Sequence, residues 1–120
     1  ADYLKNIASA LSENVRFMSS EKRRSLHLAA VFACNFTNHI YTLSYKLLEN
    51  ESIPADVLLP LIDETAAKIH SMSPSAAQTG PAIRYDENVI NKHLAMLDDP
   101  DMKAIYQLLS RSIHKEAQNE

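Results

Sequence analysis

One glycine, Gly80, stands in 120 residues, where average usage of about 7% would place roughly eight. Neither the dinucleotide-binding fingerprint nor the Walker loop can be built with one glycine, so self-contained phosphate cradles of the familiar kinds are excluded. The nucleophile elbow of the α/β hydrolases fails for the same reason. A single cysteine, Cys34, excludes a disulfide framework and cysteine-based zinc sites. It points to a reducing compartment, read here as cytoplasmic. Five histidines, at 27, 39, 70, 93 and 114, include no pair three or four residues apart, so no helical metal motif is expected. Charge of one sign is also scarce: 12 basic against 15 acidic side chains leave −3. That balance argues against nucleic acid or an anionic membrane as the main partner. The opening residues, Ala1-Asp2-Tyr3-Leu4-Lys5, lack the basic-then-apolar layout of a signal peptide. With no initial methionine, the chain is expected to be a fragment of a longer protein.

What the sequence does have is helical periodicity, divided by Pro54, Pro60, Pro74, Pro81 and Pro100. Residues 2–12 read as a helix with Leu4, Ile7, Ala8 and Leu11 on one face. Val15-Arg16-Phe17-Met18 alternates apolar and charged, which predicts one short strand whose partner must lie outside this segment. Ser19-Ser20-Glu21 is a helix start, with a hydroxyl cap and an acid in the first turn. The helix it opens is expected to run to about Asn50. A second follows from Pro54 through Pro60, with a kink, to about Met72. Residues 73–85 read as a loop with a helical turn at Pro74–Gln78. Asp86 caps a helix reaching Leu97, and Asp101 another from Met102 to about Lys115. The expected fold is all-α, about five helices around one long central helix, with one orphan strand near the N-terminus.

The long helix is unusual. Residues 26–45 contain no Asp, Glu, Lys or Arg. A run of that length raises the question of a membrane span, but His27, Asn35, Thr37, Asn38, His39, Thr42 and Ser44 are too many polar groups for lipid. At 100° per residue, Leu26, Ala29, Ala33, Phe36, Ile40, Leu43 and Leu47 form an apolar seam, and His27, Val31, Asn35, Asn38, Thr42 and Tyr45 lie opposite. A polar face with no formal charge predicts partial burial, where amides and hydroxyls are satisfied but a charge is expensive. The helix is therefore expected to be covered on both sides, by core on one and by a cleft or subunit interface on the other. His27 is the candidate proton donor on this face, set against the plainer reading of a packing histidine. Asn35 and Asn38 can equally fix a helix–helix register. Cys34 reads as a small buried hydrophobe.

The loop Ala76-Ala77-Gln78-Thr79-Gly80-Pro81-Ala82-Ile83-Arg84-Tyr85-Asp86 is the second unusual stretch. Gly80 is free to take dihedrals closed to other residues. Gln78 and Thr79 bring hydrogen-bonding groups, and Arg84 brings a fork suited to a carboxylate or phosphate. The plainer reading is an interhelical turn in which Asp86 is a cap and Arg84 its partner.

The runs His27-Leu28-Ala29-Ala30-Val31-Phe32-Ala33-Cys34-Asn35-Phe36, Leu58-Leu59-Pro60-Leu61 and Gln78-Thr79-Gly80-Pro81, with Arg84 and Asp86, occur here in one order. In that order they resemble the C-terminal helical domain of bacterial proteins that join a Rossmann-like NAD(P)-binding domain to a domain of unknown function. These belong with the NADP oxidoreductases related to the deazaflavin-dependent reductases. The helical half is similar to the C-terminal domains of 6-phosphogluconate dehydrogenase and pyrroline-5-carboxylate reductase. The resemblance implies that residues 1–18 close a missing Rossmann domain and that residues 19–120 form the helical substrate and dimerisation domain. NADP or NAD would be bound mainly by the missing half, with no cofactor or metal site in this fragment. It also implies a homodimer through the long helix and a small-molecule substrate. Carried over by position, His27, Asn35, Thr79, Gly80, Pro81, Arg84 and Asp86 become cleft residues, to which the face argument adds Asn38 and Gln78. The parent is then an NAD(P)-dependent oxidoreductase transferring hydride to or from a C=O or C=N group, and this fragment alone is inactive. The competing expectation is a non-catalytic helical dimerisation or interaction module. A histidine phosphotransfer bundle fits less well, because a phospho-accepting histidine needs exposure and nearby lysine.

Overall fold

A computed structural model gives the structure and describes residues 18–119. The helix expected at residues 2–12 lies outside the described residues, as does the strand expected at 15–18 apart from Met18. The expected domain boundary after residue 18 falls at their edge. Among the described residues the fold is all-α: five helices, one 3₁₀ turn and no strand. The chain divides into two compact units, Ala1–Glu51 and Ser52–Glu120.

In the first unit one long helix runs from Ser20 to Asn50. It comprises α1 (Ser20–Ala30), a π-helical segment (Val31–Phe36) and a second α-helical stretch, α2 (Thr37–Asn50). Ser19 starts it in an extended conformation, its Oγ accepting the Lys22 N–H at 3.2 Å. Glu21 sits in the first turn, where the helix dipole favours an acid. The wide turn was not expected. It is closed by the Thr37 hydroxyl, which donates to the Phe32 carbonyl, five residues back, at 3.2 Å. The α-helical pairing the wider turn displaces is thereby partly replaced by a side chain. The helix stops at Glu51, whose N–H donates to the Leu48 carbonyl at 3.0 Å, and Ser52 turns left-handed at φ 56°.

The π segment breaks the constant 100° step on which the expected seam was drawn. The half-buried stripe reads Leu26, Ala30, Thr37, Tyr41, Ser44 and Leu48, with Val31, Ile40 and Leu43 beside it. From Ala30 onward it is displaced by about one residue from the expected line. Ala29, Ala33, Phe36 and Leu47, placed on the core side by periodicity, are exposed. Cys34, read as buried, is also exposed, because it lies within the π turn rather than on the covered stripe. The uncharged face is open as well: His27, Asn35, Asn38, Thr42 and Tyr45 are all exposed within this chain.

In the second unit a 3₁₀ turn (Ala55–Leu58) leads into α3 (Leu59–Lys68). Pro60 sits in the first turn of α3, where its missing N–H would have had no partner, so no interior kink forms. The helix ends at Lys68, and turns carry the chain on, with the Met72 N–H donating to the Lys68 carbonyl at 3.0 Å. Ser73 then caps the single turn α4 (Pro74–Ala77), accepting the Ala76 N–H at 3.2 Å. After the glycine loop come α5 (Glu87–Met96), capped by Asp86, and α6 (Pro100–Gln118). The cap of α6 is Asp99, not the expected Asp101: its carboxylate accepts the Met102 N–H at 3.1 Å, with Pro100 in the first turn. The buried residues of this unit are Ala82, Ile90, Leu97 and Ser110. His93 and Tyr106 join α5 to α6 through a 2.7 Å contact between the imidazole Nδ1 and the phenol oxygen.

Candidate functional site

The loop between α4 and α5 is held more tightly than a linker requires. The Asp86 N–H donates to the Pro81 carbonyl at 2.9 Å, and the Tyr85 N–H to the Ala82 carbonyl at 3.1 Å. With Tyr85 left-handed at φ 50°, these are the paired bonds of a Schellman motif, formed on a non-glycine residue. Asp86 serves twice: its N–H closes that turn, and its carboxylate accepts the Val89 N–H at 3.4 Å to open α5. Left-handed backbone at tyrosine costs about 1 kcal/mol or more and persists only where surroundings over-determine it.

Those surroundings come from α6. His114 donates its Nδ1–H to the Ile83 carbonyl at 3.0 Å, since a carbonyl can only accept. Its Nε2 is then the acceptor for the Gln118 amide, also at 3.0 Å. The Tyr85 and His114 rings lie 5.3 Å apart, tilted by 47°. Sequence reasoning missed this anchor. Gln118 at one helical turn from His114 was a visible signal, but a backbone carbonyl 31 residues away leaves none.

Gly80, Pro81, Arg84 and Asp86 line one open cavity of about 580 Å³, together with Ile83. Gln78 lies elsewhere, in a groove of about 470 Å³ whose walls include Pro74, Ser75, Ile83 and Ser112. Ile83 is common to both. Thr79 lines neither, and its carbonyl accepts the Gln78 amide at 3.0 Å. Gly80 takes φ 105°, a dihedral closed to most other residues and open to glycine, with open space where a Cβ would stand. Arg84 is exposed and has no hydrogen-bond or ion-pair partner among the described residues. Half of the plainer reading therefore holds, since Asp86 is a cap, and half does not, since Arg84 is not its partner. His27, Asn35 and Asn38 stand on the long helix of the other unit, all three exposed.

The described residues include no group of three His, Cys, Asp or Glu side chains placed to hold a metal ion. No described helix is long and apolar enough to cross a membrane. Burial raises the Tyr106 phenol above its ordinary pKa.

Residues 1–113 match the family model described as Domain of unknown function (DUF2520). A crystal structure from Bacteroides fragilis, described as a "putative NADP oxidoreductase", is 66% identical, with a TM-score of 0.79 over 82% of this chain. The chain spans 38% of that protein's length. No curated protein matches.

Proposed function

The chain belongs to the family of the Domain of unknown function DUF2520, and on that premise we propose that it is the C-terminal substrate-binding and dimerisation domain of an NAD(P)-dependent oxidoreductase. The observation that carries this reading is the 66% identity to the protein described as a "putative NADP oxidoreductase", of which this chain spans 38%. The remaining length of such a protein has room for the cofactor domain that a one-glycine chain cannot supply. Residues 1–18 would end that domain and residues 19–120 form the helical one, in the bacterial cytoplasm.

The nicotinamide, NADP or NAD, supplies or accepts the hydride, and the substrate is a small molecule with a C=O or C=N group. His27 gives or takes the accompanying proton. Asn35, with Asn38, on the first unit, or Thr79 on the second, orients the reacting oxygen or nitrogen, and Gly80 and Pro81 offer backbone beside Thr79. Gln78 lines a neighbouring groove rather than the Arg84 cavity. A proton-transfer role is worth about 10²–10⁴-fold. In the full-length protein, His27→Ala should lower kcat/KM by that order, and an unchanged value would remove the role. The isolated 120 residues should not oxidise NADPH.

Exposed apolar side chains on the long helix support the homodimer: Leu28, Phe32 and Phe36 are 60%, 62% and 51% exposed. The same face favours a second reading, a non-catalytic helical interaction module in which Asn35 and Asn38 only fix register. Asn38→Leu separates the two. A module changes its assembly, whereas a catalytic cleft loses turnover.

A further inference from the structure

We infer that Arg84 is a carboxylate-binding residue and that the cavity lined by Gly80, Pro81, Arg84 and Asp86 takes the carboxylate of a small organic acid. This rests on the oxidoreductase reading for its place in a reaction, and makes the substrate an anion. Arg84 carries five donors, and none has a partner among the described residues. Its natural neighbour is already engaged, because the Asp86 carboxylate caps α5 at the Val89 N–H. The backbone beneath the guanidinium is pinned on both sides by the Asp86–Pro81 and Tyr85–Ala82 bonds. It is fastened to α6 between them, by His114 on the Ile83 carbonyl. An arginine on an immobilised turn loses less freedom on binding than one on a mobile loop. Gly80 leaves open space at the cavity wall, with no atom within 4 Å of where a Cβ would stand. The volume, about 580 Å³, suits a small molecule.

Charge decides which anion. Of the described residues lining the cavity only Arg84 and Asp86 are charged, so one guanidinium offsets one negative charge, and the second charge of a phosphate dianion only adds repulsion from Asp86. A singly charged, planar carboxylate matches the guanidinium fork and leaves the cap intact.

The test is titration of the 120-residue chain with pyruvate, methyl pyruvate and inorganic phosphate, following the Arg84 side-chain Nε resonance by NMR. Pyruvate should shift that resonance, the uncharged ester should not, and phosphate should bind more weakly than pyruvate. Arg84→Gln should weaken pyruvate binding about tenfold or more, as expected for charge-assisted hydrogen bonds. Arg84→Lys should fall between. Equal binding of the ester, no shift with pyruvate, unchanged affinity in Arg84→Gln, or phosphate binding as well as pyruvate would each overturn the inference. Turnover separates it from the reading on which it rests. Organic acids that bind at Arg84 but are never reduced by the full-length protein would leave this site standing and defeat hydride transfer. Reduction with a KM indifferent to Arg84→Gln would do the reverse.

Discussion

Tyr106 links α5 to α6 through His93, and its phenol is harder to ionise than usual because burial penalises the phenolate. The pH consequence has a definite sign. A folded-state pKa above the unfolded value of 10.0 means the unfolded chain releases the proton first. The stability this phenol contributes is present in full below about pH 10 and is lost as pH rises through the folded pKa. Urea unfolding at neutral pH and again above about pH 10 should show that decline in the native sequence and a flatter profile in Tyr106→Phe. At neutral pH the same variant should lose about 0.5–1.5 kcal/mol, the usual value of one hydrogen bond. Gly80 gives a prediction of different origin. With open space around the missing Cβ, Gly80→Ala meets no atom, so its whole effect comes from φ 105°. A loss of about 1–2 kcal/mol in the unfolding midpoint is expected, with an unchanged core.

At the scale of elements, helix starts were legible and helix registers were not. Ser19 and Asp86 announce helices because a cap is a local bargain between one side chain and an N–H three residues on, written within four letters. The displacement from Asp101 to Asp99 has an equally local cause, since Pro100 belongs in the first turn and so makes Asp99 the residue before it. Asp99→Ala should therefore lower the thermal stability of α6 by about 1 kcal/mol. Asp101→Ala, which removes only a favourable dipole contact, should cost about 0.3–1 kcal/mol. The two variants compared in one melting experiment check the assignment. The π turn is another matter. It depends on the Thr37 hydroxyl reaching the Phe32 carbonyl, and threonine in a helix gives no sign of that. Beyond Ala30 the covered stripe is shifted from the uniform seam, which leaves Ala33, Phe36 and Leu47 exposed while Ile40 and Leu43 stay half-buried. The candidate loop was legible in its glycine, its arginine and its aspartate. It was illegible in its fastening, because Tyr85 and His114 meet only once α6 has folded back.

For the molecule as a whole, the described part of the first unit has no buried residue, and that of the second has Ala82, Ile90, Leu97 and Ser110. Meanwhile Leu28, Phe32 and Phe36 stand one turn apart in the open, Phe32 and Phe36 packed edge to face at 5.1 Å. In the proposed homodimer this ladder is the contact, and it carries no charge to repel a second copy. Phe32→Ser with Phe36→Ser should convert the dimer to monomer in analytical ultracentrifugation while leaving helical content near the native level. A dimer that persists unchanged would move the interface elsewhere.

The thinness of that core has a further consequence. Ordering each residue costs about 1–2 kcal/mol of backbone entropy, and the four buried side chains among the described residues offset little of it. If apolar area is covered chiefly by another copy, folding and association become a single equilibrium, and the concentration of protein enters the melting temperature. Dilution would then act on this domain as urea does on an ordinary one, and a cell would set its stability by how much of it is made.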